Sequence, residues 1–112
     1  GKALKRLSLA DVAAKQGLVQ DFYGQLDRSL AGYLEERVNI PVQGMTHDEL
    51  REACLEAGYG DDVVQRLIDE RDNCDFARFA PVSNVDASMK EAAQRVRELL
   101  AALNDVSPRR RP

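Results

Sequence analysis

Apolar side chains recur along this chain every three or four residues, with almost no stretch of strict alternation, so the pattern is that of helices. A first segment, about 2–15, sets Leu4, Leu7 and Val12 among Lys2, Lys5, Arg6 and Lys15, a modest amphipathic helix that Gly17 is expected to end. From about 18 to 38, Val19, Phe22, Leu26, Leu30, Tyr33 and Leu34 form one continuous stripe. That predicts a helix of about 20 residues, close to 30 Å long. Pro41 stops it, because Ile40 before the proline is pushed out of the helical region.

The third helix announces itself most clearly. In Thr46-His47-Asp48-Glu49, the Thr46 hydroxyl can accept the Glu49 N–H while the Glu49 carboxylate reaches back to the Thr46 N–H, a reciprocal capping box. Met45 and Leu50 stand where a hydrophobic staple forms. Leu50, Ala53, Cys54 and Ala57 give a narrow buried stripe, and Gly58 fits the left-handed residue that closes many helices. After Gly58-Tyr59-Gly60, Asp61 or Asp62 is the expected cap of a fourth helix. Its period runs through Val64, Leu67, Ile68, Arg71 and Cys74 or Asp75 toward Phe76 and Phe79, with Pro81 just beyond. A last helix begins among Ser83, Asn84 and Asp86 and presents Met89, Ala92, Ala93, Val96, Leu99, Leu100 and Leu103 on one side. The expectation is an all-α bundle of about five helices with a central capped hairpin. Its parts are a basic helix or linker at 1–17, a bundle domain at 18–104 and a flexible basic tail at 105–112.

Composition agrees with that picture. A chain of 112 residues is one domain, and with no tryptophan and only three each of Phe and Tyr its core must rest on Leu, Val and Ala. No apolar run approaches the roughly 20 residues of a membrane span. The start at Gly1 and the finish on Arg109-Arg110-Arg111-Pro112 lead us to expect a piece of a longer protein.

Charge changes the picture more. Residues 46–75 carry ten acidic and three basic side chains, a balance of −7 against −3 for the whole chain. The predicted hairpin is therefore strongly acidic. A helix–turn–helix DNA-binding regulatory domain is the alternative that its outline allows. Its second helix, however, would offer Asp61, Asp62, Asp69, Glu70, Asp72 and Asp75 against Arg66 and Arg71, and phosphate contacts need the opposite sign. No nucleic acid is expected as partner. The triple arginine at the end is expected to be a solvated tail.

Candidate chemistry is sparse. Cys54 and Cys74 lie about four residues before and about thirteen after the turn, so their axial mismatch is on the order of 14 Å. A disulfide needs Cα atoms within about 7 Å. Two free core thiols in a reducing compartment are expected. His47, the lone histidine, has no ligand partner at metal spacing and is expected on the surface. Asp61-Asp62 and Asp69-Glu70 with Asp72 lack the alternating ligands, glycine and closing glutamate of a calcium loop. No nucleophile elbow or phosphate loop is present. The chain is expected to have no catalytic residue, metal or cofactor, and to be no enzyme.

Taken in order, several of these residues resemble a known family. Phe22-Tyr23, Tyr33-Leu34-Glu35-Glu36-Arg37 before Ile40-Pro41, Met45-Thr46 with Glu49-Leu50-Arg51, Gly58, and Ala77-Arg78-Phe79-Ala80-Pro81 are followed by a Leu- and Ala-rich helix. The series, over about 20–103, is similar to the cytoplasmic C-terminal domain of BatD-family proteins of the Bat aerotolerance operon. Asn39-Ile40, where a leucine-rich run is expected, and the cysteine pair depart from it. The resemblance implies a parent anchored in the bacterial inner membrane by one helix just before this fragment, with Lys2, Lys5 and Arg6 beside the bilayer. It also implies a non-enzymatic interaction domain at the cytoplasmic face, meeting von Willebrand A-domain Bat proteins or a MoxR-type AAA+ ATPase. The surface expected to do so is the acidic hairpin, through Asp61, Asp62, Asp69, Glu70 and Asp72.

Overall fold

The computed structural model describes residues 1–80 and 84–112. Five α-helices follow one another: α1 (Lys2–Lys15), α2 (Val19–Val38), α3 (His47–Glu56), α4 (Asp61–Phe79) and α5 (Val85–Asn104), with a 3₁₀ turn, Val42–Gly44, between α2 and α3. No strand occurs among the described residues, so the all-α bundle is what the chain forms. The expected positions of Pro81 and Ser83 lie outside the described residues.

Local chemistry ends the helices as their sequences dictate. Gly17 and Gly58 both take positive φ, 72° and 102°. At each, the N–H groups of the glycine and of the residue after it fold back onto the helix: Gly17 and Leu18 donate to Ala14 and Ala13, and Gly58 and Tyr59 to Leu55 and Cys54. Both are Schellman closures, which satisfy carbonyls the helix end would otherwise leave open. α2 ends instead at Asn39, left-handed at φ 59°, two residues ahead of the proline. The capping box of α3 is complete, with Glu49 N–H donating to Thr46 Oγ1 at 3.1 Å and Thr46 N–H donating to Glu49 Oε1 at 2.9 Å. At α4 the cap is Gly60, not Asp61 or Asp62. Both aspartates fall in the first turn, where the exposed N–H groups of the helix favour negative charge.

The central helix is α2. Its buried row of Phe22, Tyr23, Leu26, Leu30, Leu34 and Val38 meets α1, α4 and α5. Lys2 reaches Glu35 and Glu36, and Arg6 reaches Gln25, so α1 runs antiparallel to α2. Arg71 holds Asp27, and Tyr23, whose pKa is raised by burial first and then by its neighbour Cys74, lies beside the next turn of α4, so α4 also runs antiparallel to α2. α5 returns parallel to α2, with Asn104 bonded by Tyr33 and Arg37. Gln25 and Asp27 are two residues, about 200°, apart around α2. Thus α1 and α4 flank α2 from opposite sides and run parallel to each other.

Two expectations change here. The first helix is no linker: Leu7, Ala10 and Ala13 are buried against α2, while Leu4 and Val12, expected inward, face outward with Leu9. Small residues explain the choice, since alanines in α1 and Gly32 in α2 let the two backbones approach. A Cβ added at Gly32 would lie 3.4 Å from the Lys2 Cβ. The basic tail is also laid down on the protein. Arg109 N–H donates to Ala57 O at 2.8 Å, Arg111 N–H to Val38 O at 2.9 Å, and the Arg110 guanidinium to Glu36 O at 2.7 Å. It finds there the unpaired carbonyls at the ends of α2 and α3, which cations and N–H groups complement.

Candidate docking surface on the fourth helix

The inward face of α4 is Val64, Leu67, Ile68, Glu70, Cys74 and Ala77. Of the five acidic residues expected to bind a partner, Glu70 is therefore turned in. Its carboxylate accepts from Arg95 Nε at 2.7 Å and from Asn73 Nδ2 at 3.2 Å, and its side chain is only 8% exposed. The other four, Asp61, Asp62, Asp69 and Asp72, stay outside. Asp69 accepts from Gln65 Nε2 at 2.8 Å. Asp72 Oδ1 stands 2.9 Å from Nε2 of His47, so the exposed lone histidine does have a neighbour, supplied by α3.

The feature missed from the sequence is what stands beyond those carboxylates. Phe76 and Phe79 are 72% and 70% exposed, the two most exposed large apolar side chains among the described residues. With the acids they form one outward row, Asp62, Gln65, Asp69, Asp72, Phe76 and Phe79, spaced three, four, three, four and three residues. Such a row stays on one face of a helix and is the spacing by which one helix packs on another. Its N-terminal half is acidic and its C-terminal half aromatic. The Arg78 guanidinium lies 5.3 Å from the centre of the Phe79 ring and leaves its outer side open. The signal is present in the spacing, which sets both phenylalanines in line with Asp69 and Asp72 rather than with Leu67 and Cys74.

Elsewhere the polar groups serve packing. Arg71 Nε meets Asp27 Oδ1 at 2.8 Å, both mostly buried, and its guanidinium also reaches Gln43. Arg37 ties α2 to the end of α5 through Asn104 and the Val106 carbonyl. Cys54 and Cys74 are free and fully buried, as expected. Burial pushes their thiols up to about 11 and about 12, with the Glu70 and Asp27 carboxylates adding to the rise at Cys74. Thiols held that far above neutrality are poor nucleophiles. Among the described residues no cluster of His, Cys, Asp and Glu is arranged to hold a metal ion. An open groove of about 930 Å³ between α1 and α5 has Phe22, Met89 and Ala93 in its floor and Asp11, Lys15 and Arg97 on its rim. No helix of the described residues is long and apolar enough to cross a membrane.

Against this geometry, comparison with family profiles, with curated proteins and with solved structures finds no match to the chain.

Proposed function

We propose that this is a non-enzymatic protein-interaction domain whose docking surface is the outer face of α4. One observation carries the reading: two phenylalanines stand open to solvent in line with a row of open carboxylates. Exposed aromatics of this kind are what interfaces use as anchors, whereas scattered surface leucines need no such explanation. The carboxylates add long-range attraction for a basic partner and repel polyphosphates, which disfavours the DNA-binding alternative.

The finer reading rests on the sequence resemblance alone. It makes the domain the cytoplasmic part of a BatD-like protein anchored in the inner membrane. Its partners are then the A-domain Bat proteins or the MoxR-type ATPase. Capture of those proteins from solution tests it. The wild-type domain should retain one of them at low salt and lose it at high salt, since exposed charges are screened. Reversing Asp61, Asp62, Asp69 and Asp72 to lysine should abolish capture, and so should Phe76→Ser with Phe79→Ser. Unchanged capture by both variants, or no capture by the wild type at low salt, would refute the reading.

A further inference from the structure

α1 carries an exposed row that matches the last four positions of the α4 row, beginning at Lys2 on the edge where α1 meets α2. Lys2, Lys5, Leu9 and Val12 are all exposed, with spacings of three, four and three. Asp69, Asp72, Phe76 and Phe79 are all exposed with the same spacings, at a constant offset in the sequence. In α1 the charged pair comes first and is basic; in α4 it comes first and is acidic. The apolar pair follows in both. If the two helices lie parallel, Lys2 meets Asp69, Lys5 meets Asp72, Leu9 meets Phe76 and Val12 meets Phe79. The matched rows span eleven residues, ten rises or about 15 Å of helix.

Within one molecule the rows cannot meet, because α1 and α4 flank α2 from opposite sides. From this we infer that the α4 face docks the α1 helix of a second copy of this chain, in parallel and in that register. The inference rests on the reading of α4 as a docking surface and names the partner. The contacts these residues already make, Gln65 to Asp69 and Arg78 over Phe79 among them, lie within α4 or at the surface and leave the row exposed. The Lys2 Nζ–Glu35 distance is 3.5 Å, and both members of that pair and of the Asp72–His47 pair are more than half exposed. Surface pairs like these are worth about 1 kcal/mol or less and exchange readily. Leu4, 69% exposed on the flank of the α1 row, adds apolar surface beside it.

Two consequences distinguish this contact from ordinary dimerisation. A surface of about four residues a side is well below the roughly 1,200 Å² of stable complexes, so association is weak and grows with concentration. Because donor and acceptor faces lie on opposite sides, each docked copy leaves a free α1 and a free α4. The contact is heterologous, so it builds a ring where the rotation between copies closes and an open chain where it does not, and the mass rises past the dimer in either case.

The test uses the whole chain in sedimentation velocity at rising concentration and low salt, with helicity checked by circular dichroism. Wild type should show a sedimentation coefficient that climbs without a plateau at dimer. Lys2→Glu with Lys5→Glu should be monomeric, and Asp69→Lys with Asp72→Lys should be monomeric. An equimolar mixture of those two variants should associate again, because each α1 then meets an α4 of opposite charge. Register is read by mild oxidation of mixed cysteine variants, the native thiols being buried. Leu9→Cys with Phe76→Cys should cross-link at least tenfold more than Leu9→Cys with Gln65→Cys. A wild type that remains monomeric, a mixture that does not recover, or equal cross-linking in both pairs overturns the inference. Should the wild type be monomeric while the α4 variants still lose a captured protein partner, self-docking falls and the docking-surface reading stands.

Discussion

Replacing Arg95 by methionine keeps the aliphatic stem and removes the charge that faces Glu70. The wild-type pair is short, with Nε to Oε1 at 2.7 Å and a second contact from Nη2 to Oε2 at 3.4 Å. The Glu70 side chain is 8% exposed and that of Arg95 46%. A fully buried carboxylate that loses its partner costs about 3–5 kcal/mol, while exposed pairs are worth about 1 kcal/mol or less. Solvent screens the half-open arginine, and Asn73 still donates to Oε2, so the loss should fall between these limits, about 2 kcal/mol. On a domain of this size that lowers Tm by about 8–12 °C. Urea melts of Arg95→Met, Glu70→Met and the double variant complete a cycle. The double variant should be more stable than the sum of the single losses predicts, with a coupling of about 1–2 kcal/mol. If Arg95→Met lies within about 0.5 kcal/mol of wild type, Glu70 is not held by that pair, and its exclusion from the docking surface fails with it.

Thr46→Ala should cost about 1 kcal/mol by removing the cap, read as a lower denaturation midpoint. The backbone and hydroxyl hydrogen bonds of Thr46 hold the Glu49 carboxyl below its usual range. Its contribution is therefore complete above the unfolded pKa and is lost as pH falls through the lower folded value; Glu49→Gln should flatten that acid limb of the stability profile. Cys54 and Cys74 should resist a thiol reagent at neutral pH in the native state and both react in denaturant; rapid native labelling would contradict their burial. Asn39→Ala should lose about 1 kcal/mol because φ there is 59°, whereas Asn39→Gly should lose less, as chemical melts will show. Phe76→Ser and Phe79→Ser should leave stability within about 0.5 kcal/mol, since both rings are largely exposed and lie outside the core.

Features decided by neighbours in sequence could be read from it. The Thr46–Glu49 box and the Gly17 and Gly58 closures involve residues within five positions of one another, and each forms as expected. Facing was harder. α1 is apolar on two sides, and Leu7, Ala10 and Ala13 rather than Leu4 and Val12 are the ones buried against another helix. In α4, residue type misled where position did not. Glu70 stands at helical spacing between Leu67 and Cys74 and goes in with them, because Arg95, 25 residues later, neutralises it. Phe76 and Phe79 continue the outward row of Asp69 and Asp72 and stay out. The tail's acceptors, the carbonyls of Glu36, Val38 and Ala57, lie far from it along the chain. Nothing local announces them.

Amide chemical shifts recorded over a dilution series test the docking of α1 onto the outer face of α4 most directly, since they report each residue without a variant. Concentration should move Asp69, Asp72, Phe76 and Phe79 together with Lys2, Lys5, Leu9 and Val12, and added salt should reverse the movement. The buried row of α2 and the end of α5 should stay fixed. Shifts that leave the outer face of α4 unmoved while changing elsewhere, or that do not change over the full range, would contradict docking between copies.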